Sequence, residues 1–189
     1  MAEGSKAMSQ MRKFLDQQEW KYLDEEAGVL RGLMTGQGSQ WHWVARDTAD
    51  GRFLLFYAYS PVNVPEQRLA AAAEYLMRAN WGLYFGNFDM DWSNGQVCFR
   101  TCIPIGTSGV LIKALEHLVH ASWAMMDRYL PGLFSVALGN VMPEQAVKAA
   151  EAAEAENAVA SPAVTVTEQP EPTGPGNPGR FRRFFPSDN

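Results

Sequence analysis

The chain has little of what usually assigns a protein to a chemical class. Its 189 residues include only two cysteines and three histidines, and no apolar run approaches the 18 or more residues of a membrane span. Because the first residues also lack the apolar core of a signal peptide, we expect a cytoplasmic location. Acidic side chains outnumber basic ones, giving a formal net charge of −5 at pH 7. That balance argues against nucleic-acid binding, which requires a basic face.

The two cysteines are too far apart for a disulfide within the chain. Cys98 and Cys102 are four residues apart on a predicted strand, which separates their Cα atoms by roughly 13 Å. A disulfide needs Cα atoms within about 7 Å of each other. We therefore interpret both side chains as reduced thiols of a reducing compartment.

Motifs of catalytic and cofactor-binding sites are missing as well. No Gly-rich phosphate loop or G-x-S-x-G turn is present. Asp89 to Ser93 resembles the start of a calcium loop, but its glycine is displaced by one residue and Arg100 replaces the closing glutamate. His117 and His120 lie on one predicted helix without a second source of ligands. We expect no enzymatic activity, no cofactor and no metal site.

The hydrophobic patterns that are present predict an α+β domain, with an antiparallel sheet of about five strands packed by helices. Strands are expected at residues 29–34, 40–46 and 52–60 and on both sides of residues 94–95. The 53–57 strand is apolar on both faces, as for a strand covered on two sides or covered by a partner. Helices are expected at residues 9–18 and 65–79, from residue 107 or 108 onward with an end or kink at Pro131, and after Pro143.

The two strands on either side of residues 94–95 are predicted to form a hairpin that turns at Asn94-Gly95. A two-residue type I′ turn needs φ > 0 at both positions, which these residues tolerate. That turn sets Trp92 opposite Val97, and Asp89 opposite Arg100 as a cross-strand ion pair. The buried face of the hairpin would contain Phe88, Met90, Trp92, Val97 and Phe99.

The C-terminal part differs in composition from the rest. From about Asn157 it is rich in proline, glycine, serine, threonine and glutamate, which predicts a disordered tail. We divide the chain into an α+β domain at 1–147, with its core at about 20–147, and a helical extension with the tail at 148–189. The tail ends in a basic and aromatic cluster that is a candidate docking peptide, formed by Phe181, Arg182, Arg183, Phe184 and Phe185.

Several segments carry a family resemblance. They are FLLFY at 53–57, VPEQR at 64–68, Asn80, GNFD at 86–89, NGQV at 94–97, MDRYLP at 126–131 and MPEQA at 142–146. Over roughly residues 20–147 these segments resemble the YbjN-like family of bacterial proteins, which has a type III secretion chaperone-like fold. The resemblance implies a bacterial cytoplasmic regulator or chaperone-like protein without a defined reaction.

An excess of aromatic residues suggests a binding role. The leading hypothesis is a non-enzymatic protein-binding module, chaperone-like or a regulatory adaptor, whose partner is another protein or a second copy in a homodimer. The alternative is a small-ligand sensor with a pocket between the sheet and the long helix, lined by Met125, Met126 and aromatic residues. The candidate partner-binding residues are Trp41, Trp43, Phe56, Tyr84 and Phe85.

Overall fold

A computed structural model describes residues 5–25 and 28–160 as helices on one side of a single sheet. None of the helices in this part of the chain is long and apolar enough to cross a bilayer. A 3₁₀ turn at Glu66–Arg68 leads into α2. The elements are α1 (Lys6–Gln17), β1 (Tyr22–Glu25), β2 (Val29–Thr35), β3 (Gln40–Asp47), β4 (Phe53–Tyr59), α2 (Leu69–Trp81), β5 (Asn87–Met90), β6 (Val97–Pro104), α3 (Ile112–Ala137) and α4 (Pro143–Ala160).

The sheet has six antiparallel strands in the order β1-β2-β3-β4-β6-β5. The α+β fold is as predicted, with one strand more than expected. The added strand is β1, which is four residues long and almost wholly exposed. Such a short strand has no apolar alternation that a sequence pattern could reveal.

The core lies between one face of the sheet and helices α1, α2 and α3, while α4 packs against α2 and α3. Alternate residues of β3, β4 and β6 are buried on this face, as the period of two in a strand requires, and β2 adds Leu30 and Met34. The first helix contributes to the same core with the fully buried side chains of Met8, Met11, Phe14 and Leu15. Its N-terminus is capped by Ser5, whose Oγ accepts a hydrogen bond from Met8 N at 3.2 Å.

Strand β4 is buried on one face only. Leu54 and Phe56 are fully buried, whereas Leu55 and Tyr57 are half-buried on the opposite face. The apolar run at 53–57 therefore marks a central strand with helices on one side. Its other apolar face belongs to the side of the sheet on which no helix of residues 5–25 and 28–160 packs.

The β5–β6 hairpin has a longer loop than predicted. The backbone N–H of Asp91 donates to Gln96 O at 2.9 Å, which leaves four residues, not two, in the loop. Gly95 has φ +71°, whereas Asn94 is not in the positive-φ region, so the predicted type I′ turn is wrong. The predicted burial of Trp92 is also wrong, because this side chain lies in the loop and is 60% exposed.

The register of this hairpin shifts by two residues as a result. Phe88 pairs with Phe99, and Asp89 pairs with Cys98. Because side chains alternate with a period of two, such a shift leaves each one on its predicted face. The ion pair between Asp89 and Arg100 is present at 2.6 Å as a diagonal contact.

Helix α3 runs through Pro131 instead of ending there. Proline lacks the N–H that would bond back along the helix, so packing must hold this turn. Leu130 and Leu133, on either side of Pro131, are 2% exposed. In addition, the Tyr75 hydroxyl donates to Tyr129 O at 2.7 Å, which joins α2 to this part of α3.

Candidate functional site

The helices in the described part of the chain all pack on one side of the sheet, and we call the other side the open face. Its centre is formed by Val44, Leu55, Tyr57, Tyr59 and Cys98 from the three middle strands. All five are half-buried, because they cover one another across the strands. An antiparallel sheet that leaves one face to solvent usually carries polar side chains there. Apolar and aromatic cross-strand pairs at the centre of such a face therefore mark it as a candidate binding surface.

Aromatic stacking and one arginine fix the middle of the open face. The rings of Tyr57 and Tyr59 are stacked at 5.9 Å with an interplanar angle of 18°. The guanidinium carbon of Arg46 lies 6.0 Å from the centre of the Tyr57 ring. Burial raises the pKa of the Tyr59 hydroxyl, so this group is a neutral donor at neutral pH.

Two ion pairs mark opposite margins of the open face. Arg31 Nε lies 3.1 Å from a carboxylate oxygen of Glu25 at the β1–β2 margin. Arg100 Nε lies 2.6 Å from Asp89 at the β5–β6 margin. An apolar centre with a charged rim is the usual anatomy of a protein-binding surface.

The two thiols differ in environment although both lie on the open face. Cys98 is half-buried and Cys102 is exposed, and neither forms a disulfide. Burial, together with the nearby negative charge of Asp89, raises the pKa of Cys98 to about 12. At pH 8 only about one Cys98 in 10⁴ is then a thiolate, which is the reactive form.

We therefore expect a thiol reagent such as DTNB to label one cysteine quickly at pH 8 in the folded protein. The reactive residue should be Cys102, so Cys102→Ser should abolish the fast phase while Cys98→Ser leaves it unchanged. In urea both residues should react in the parent protein. If two equivalents of DTNB reacted quickly with the folded protein, Cys98 would not be protected.

Three of the predicted partner-binding residues are in the core, which corrects the prediction for them. Trp41 and Trp43 are 1% exposed and Phe56 is 0% exposed. They lie on the helix-covered face, where Trp43 stacks on Phe56 with ring centres 5.4 Å apart. Gly32, opposite Trp43 on β2, leaves room for the indole, because a Cβ there would lie 2.5 Å from that ring.

The other two predicted partner-binding residues are accessible. Tyr84 is fully exposed and Phe85 is 38% exposed in the segment between α2 and β5. Trp81, at the end of α2, is 93% exposed beside them in the sequence. Partner binding at this segment stays a prediction. The tail cluster Phe181, Arg182, Arg183, Phe184 and Phe185 lies outside the described residues.

Most of the acidic candidates for chemistry have structural roles. Asp89 is paired with Arg100, and Asp91 accepts hydrogen bonds from the backbone and hydroxyl of Ser93 in the hairpin loop. Those hydrogen bonds lower the pKa of Asp91. His117 and His120 are exposed on α3, and the described residues contain no group of three metal-ligating side chains.

A cleft at the β1–β2 edge of the sheet, here called the edge cleft, was not anticipated from the sequence. It has a volume of about 750 Å³. It lies between the segment that enters β1 and the second half of β2, with α3 as a third wall. Its main lining residues are Trp20, Lys21, Tyr22, Leu33, His42 and Trp123.

The pocket expected beside Met125 and Met126 has a different location. Met126 is fully buried, whereas Met125 lines a groove of about 810 Å³ between α3 and α4. That groove is bounded by two helices and not by the sheet. Periodicity placed both methionines on the long helix but could not distinguish its core side from its flank.

Comparisons with known proteins bear on the larger part of the chain. Residues 8–135 match the family model described as "YbjN: Putative bacterial sensory transduction regulator". A crystal structure of YbjN from E. coli, described as a putative transcription regulator, is 14% identical in sequence and has a TM-score of 0.47. The alignment covers 64% of this chain and 85% of that chain. No curated protein matches the sequence.

Proposed function

The chain belongs to the YbjN family of bacterial regulators, and on that premise we propose that it is a non-enzymatic regulatory or chaperone-like adaptor of the cytoplasm that binds another protein through its open face. One observation carries this proposal. Leu55, Tyr57 and Tyr59 alternate with fully buried core residues, yet none of the helices within residues 5–25 and 28–160 covers them.

The size of the open face suits a specific but modest interface. Strands about 4.8 Å apart, with a rise of about 3.3 Å per residue, give this six-stranded face an area of roughly 600 Å². A partner of equal footprint would bring the total to about 1,200 Å², the lower end of the range for specific complexes. We therefore expect a complex that assembles and dissociates, as regulation requires.

The chemistry of the face indicates what the partner presents. Val44, Leu55 and Tyr57 would contact an apolar surface such as one side of an amphipathic helix. Arg46 beside Tyr57 forms none of the ion pairs among the described residues, in contrast to Arg31 and Arg100. A carboxylate of the partner placed over Arg46 would form an ion pair with its guanidinium.

The non-enzymatic part of the proposal rests on how the candidate catalytic groups are used. Asp89 and Asp91 hold an ion pair and a turn, and both are at the margin of the open face. The raised pKa of Cys98 opposes a role as a nucleophile, which would need a lowered pKa.

Site-specific photocrosslinking in the source cells tests where a partner binds. A photoreactive amino acid at Tyr57 should give a cross-linked complex, because the centre of the open face would be covered. The same amino acid at Leu111, which is 78% exposed at the start of α3, is the control and should give none. Placed at Tyr84, it tests the exposed segment after α2.

A matched pair of charge variants checks the result. Leu55→Glu should abolish the Tyr57 complex by placing a charge in the apolar centre, with an expected loss of at least tenfold in captured partner. Leu111→Glu carries the same added charge and should leave the complex intact. If the two variants behave alike, or if only Tyr84 cross-links, the open face is not the binding surface. A cross-link to a second copy of the chain would instead identify a homodimer.

A further inference from the structure

We propose that the edge cleft is a binding site for a small aromatic carboxylate. This inference goes beyond protein binding at the open face and does not depend on it. The two sites meet at the Glu25–Arg31 pair, which lines the cleft and marks the margin of the open face, but Leu55, Tyr57 and Tyr59 at the centre of that face do not line the cleft, so the two sites can be tested separately. The cleft volume, about 750 Å³, lies within the range of small-molecule sites.

The walls of the cleft include two indoles held at a fixed angle. The rings of Trp20 and Trp123 meet edge to face, with centres 5.8 Å apart and an interplanar angle of 69°. Trp20 is held by a second edge contact with Phe14 at 6.4 Å, and its backbone N–H donates to Leu15 O at 3.0 Å. Two nearly perpendicular aromatic planes favour a flat apolar ligand that stacks on one and meets the edge of the other.

The polar atoms of two aromatic walls are already bonded within the protein. Trp123 Nε1 donates to Asp127 Oδ2 at 3.1 Å, while the other oxygen of Asp127 accepts from Gln37 N at 2.9 Å. The Tyr22 hydroxyl donates to Asp16 at 3.0 Å. These bonds fix both rings, and they leave ring carbon as the surface available to a ligand. The site is therefore pre-formed, which lowers the entropy cost of binding.

The charge at the cleft favours an anionic end group. Glu25 and Arg31 line the cleft as an ion pair and neutralise each other. Lys21 also lines it, and its ammonium is in none of the ion pairs among the described residues. His42 adds a further hydrogen-bonding group. A carboxylate can therefore pair with Lys21 while the attached rings lie against the indoles.

Isothermal titration calorimetry with 2-naphthoate tests the proposal on the full chain. We expect a dissociation constant on the order of 100 µM, which is typical for a ligand of this size in a partly open site. The neutral analogue 2-naphthalenemethanol should bind at least threefold more weakly. Lys21→Gln should weaken naphthoate roughly fivefold and leave the alcohol unchanged. The Trp123 indole N–H resonance should shift during the titration.

A pair of exposed leucines locates the binding. Leu33 is 60% exposed at the cleft and Leu111 is 78% exposed away from it, so glutamate at either position should leave the fold intact. Leu33→Glu should weaken naphthoate at least tenfold by repulsion, and Leu111→Glu should leave its affinity unchanged. The proposal is overturned if naphthoate does not bind at millimolar concentration, if the alcohol binds as tightly as the acid, or if both glutamate variants bind alike.

Discussion

Replacing Phe56 with alanine should lower the free energy of unfolding by about 3–5 kcal/mol, the usual cost of removing a buried aromatic ring. The side chain is fully buried and stacks on Trp43 with ring centres 5.4 Å apart and planes 17° apart. Its loss would leave a cavity between the sheet and the helices, because strand and helix backbones cannot collapse to fill it. Urea denaturation followed by circular dichroism measures the change.

Phe53, on the same strand, provides the matched control for this change. It is 39% exposed on the opposite face, so Phe53→Ala should cost less than about 1 kcal/mol. The ratio between the two variants measures the one-sided burial of β4. Equal losses would mean that the open face is packed as tightly as the core.

Gly95→Ala should cost about 2–4 kcal/mol, from two separate causes. The residue has φ +71°, which alanine adopts at a cost of about 1 kcal/mol. A Cβ there would also collide with the carbonyl oxygen of Val64. Relief of that collision would break the hydrogen bond from Val64 N to Gly95 O, which is 2.8 Å long. Thermal and urea denaturation should both report the loss.

A second glycine separates these two causes. Gly51 has a similar φ of +66°, but no atom lies within 4 Å of where its Cβ would be. Gly51→Ala should therefore cost only about 1 kcal/mol, the conformational part alone. If Gly95→Ala were no more destabilising than Gly51→Ala, the close contact between the β5–β6 loop and Val64 would not hold the loop in place.

Local sequence patterns predicted helices and strands well where the hydrophobic periodicity extends over several helical turns or several strand residues. They located α1, β2, β3, β4, α2 and the long α3, and they identified the family. They failed at β1, where four largely exposed residues pair with β2. That pairing depends on the position of the preceding helix, which Arg12 fixes through its bidentate contact with Asp24 of β1 at 2.6 and 3.0 Å. No pattern within β1 itself encodes such a contact.

The hairpin shows why a correct motif gave a wrong register. Asn94-Gly95 is a strong turn signal, but Asp91 accepts bonds from Ser93 and Gly95 and so stabilises a wider loop. The contact of Gly95 with Val64 adds a tertiary reason that the dipeptide alone cannot supply. The shift by two residues preserved the face of each residue that stays paired in the strands, which is why the Asp89–Arg100 ion pair was still predicted correctly, whereas Trp92 was moved into the loop.

The candidate site was harder to predict than the fold. Trp41, Trp43 and Phe56 were assigned to a surface because an aromatic strand does not reveal which of its faces the helices cover. The edge cleft depends on Trp20 and Trp123, which are distant in sequence and meet only after α1 and α3 have packed. In the sequence, only Trp20 and Gly32 could have hinted at the cleft, and neither predicts a cleft unless the packing of α3 beside them is known.

The position of β6 between β4 and β5 has a consequence for folding kinetics. Strands β1 to β4 pair with their neighbours in sequence, so this meander can form from short-range contacts. In contrast, Tyr59 pairs with Cys98 across the whole of α2 and β5. Closing that long loop is entropically costly until both segments are in place. Docking of the β5–β6 hairpin onto β4 is therefore expected to be a late, rate-limiting event, during which the edge of β4 is exposed and vulnerable to aggregation.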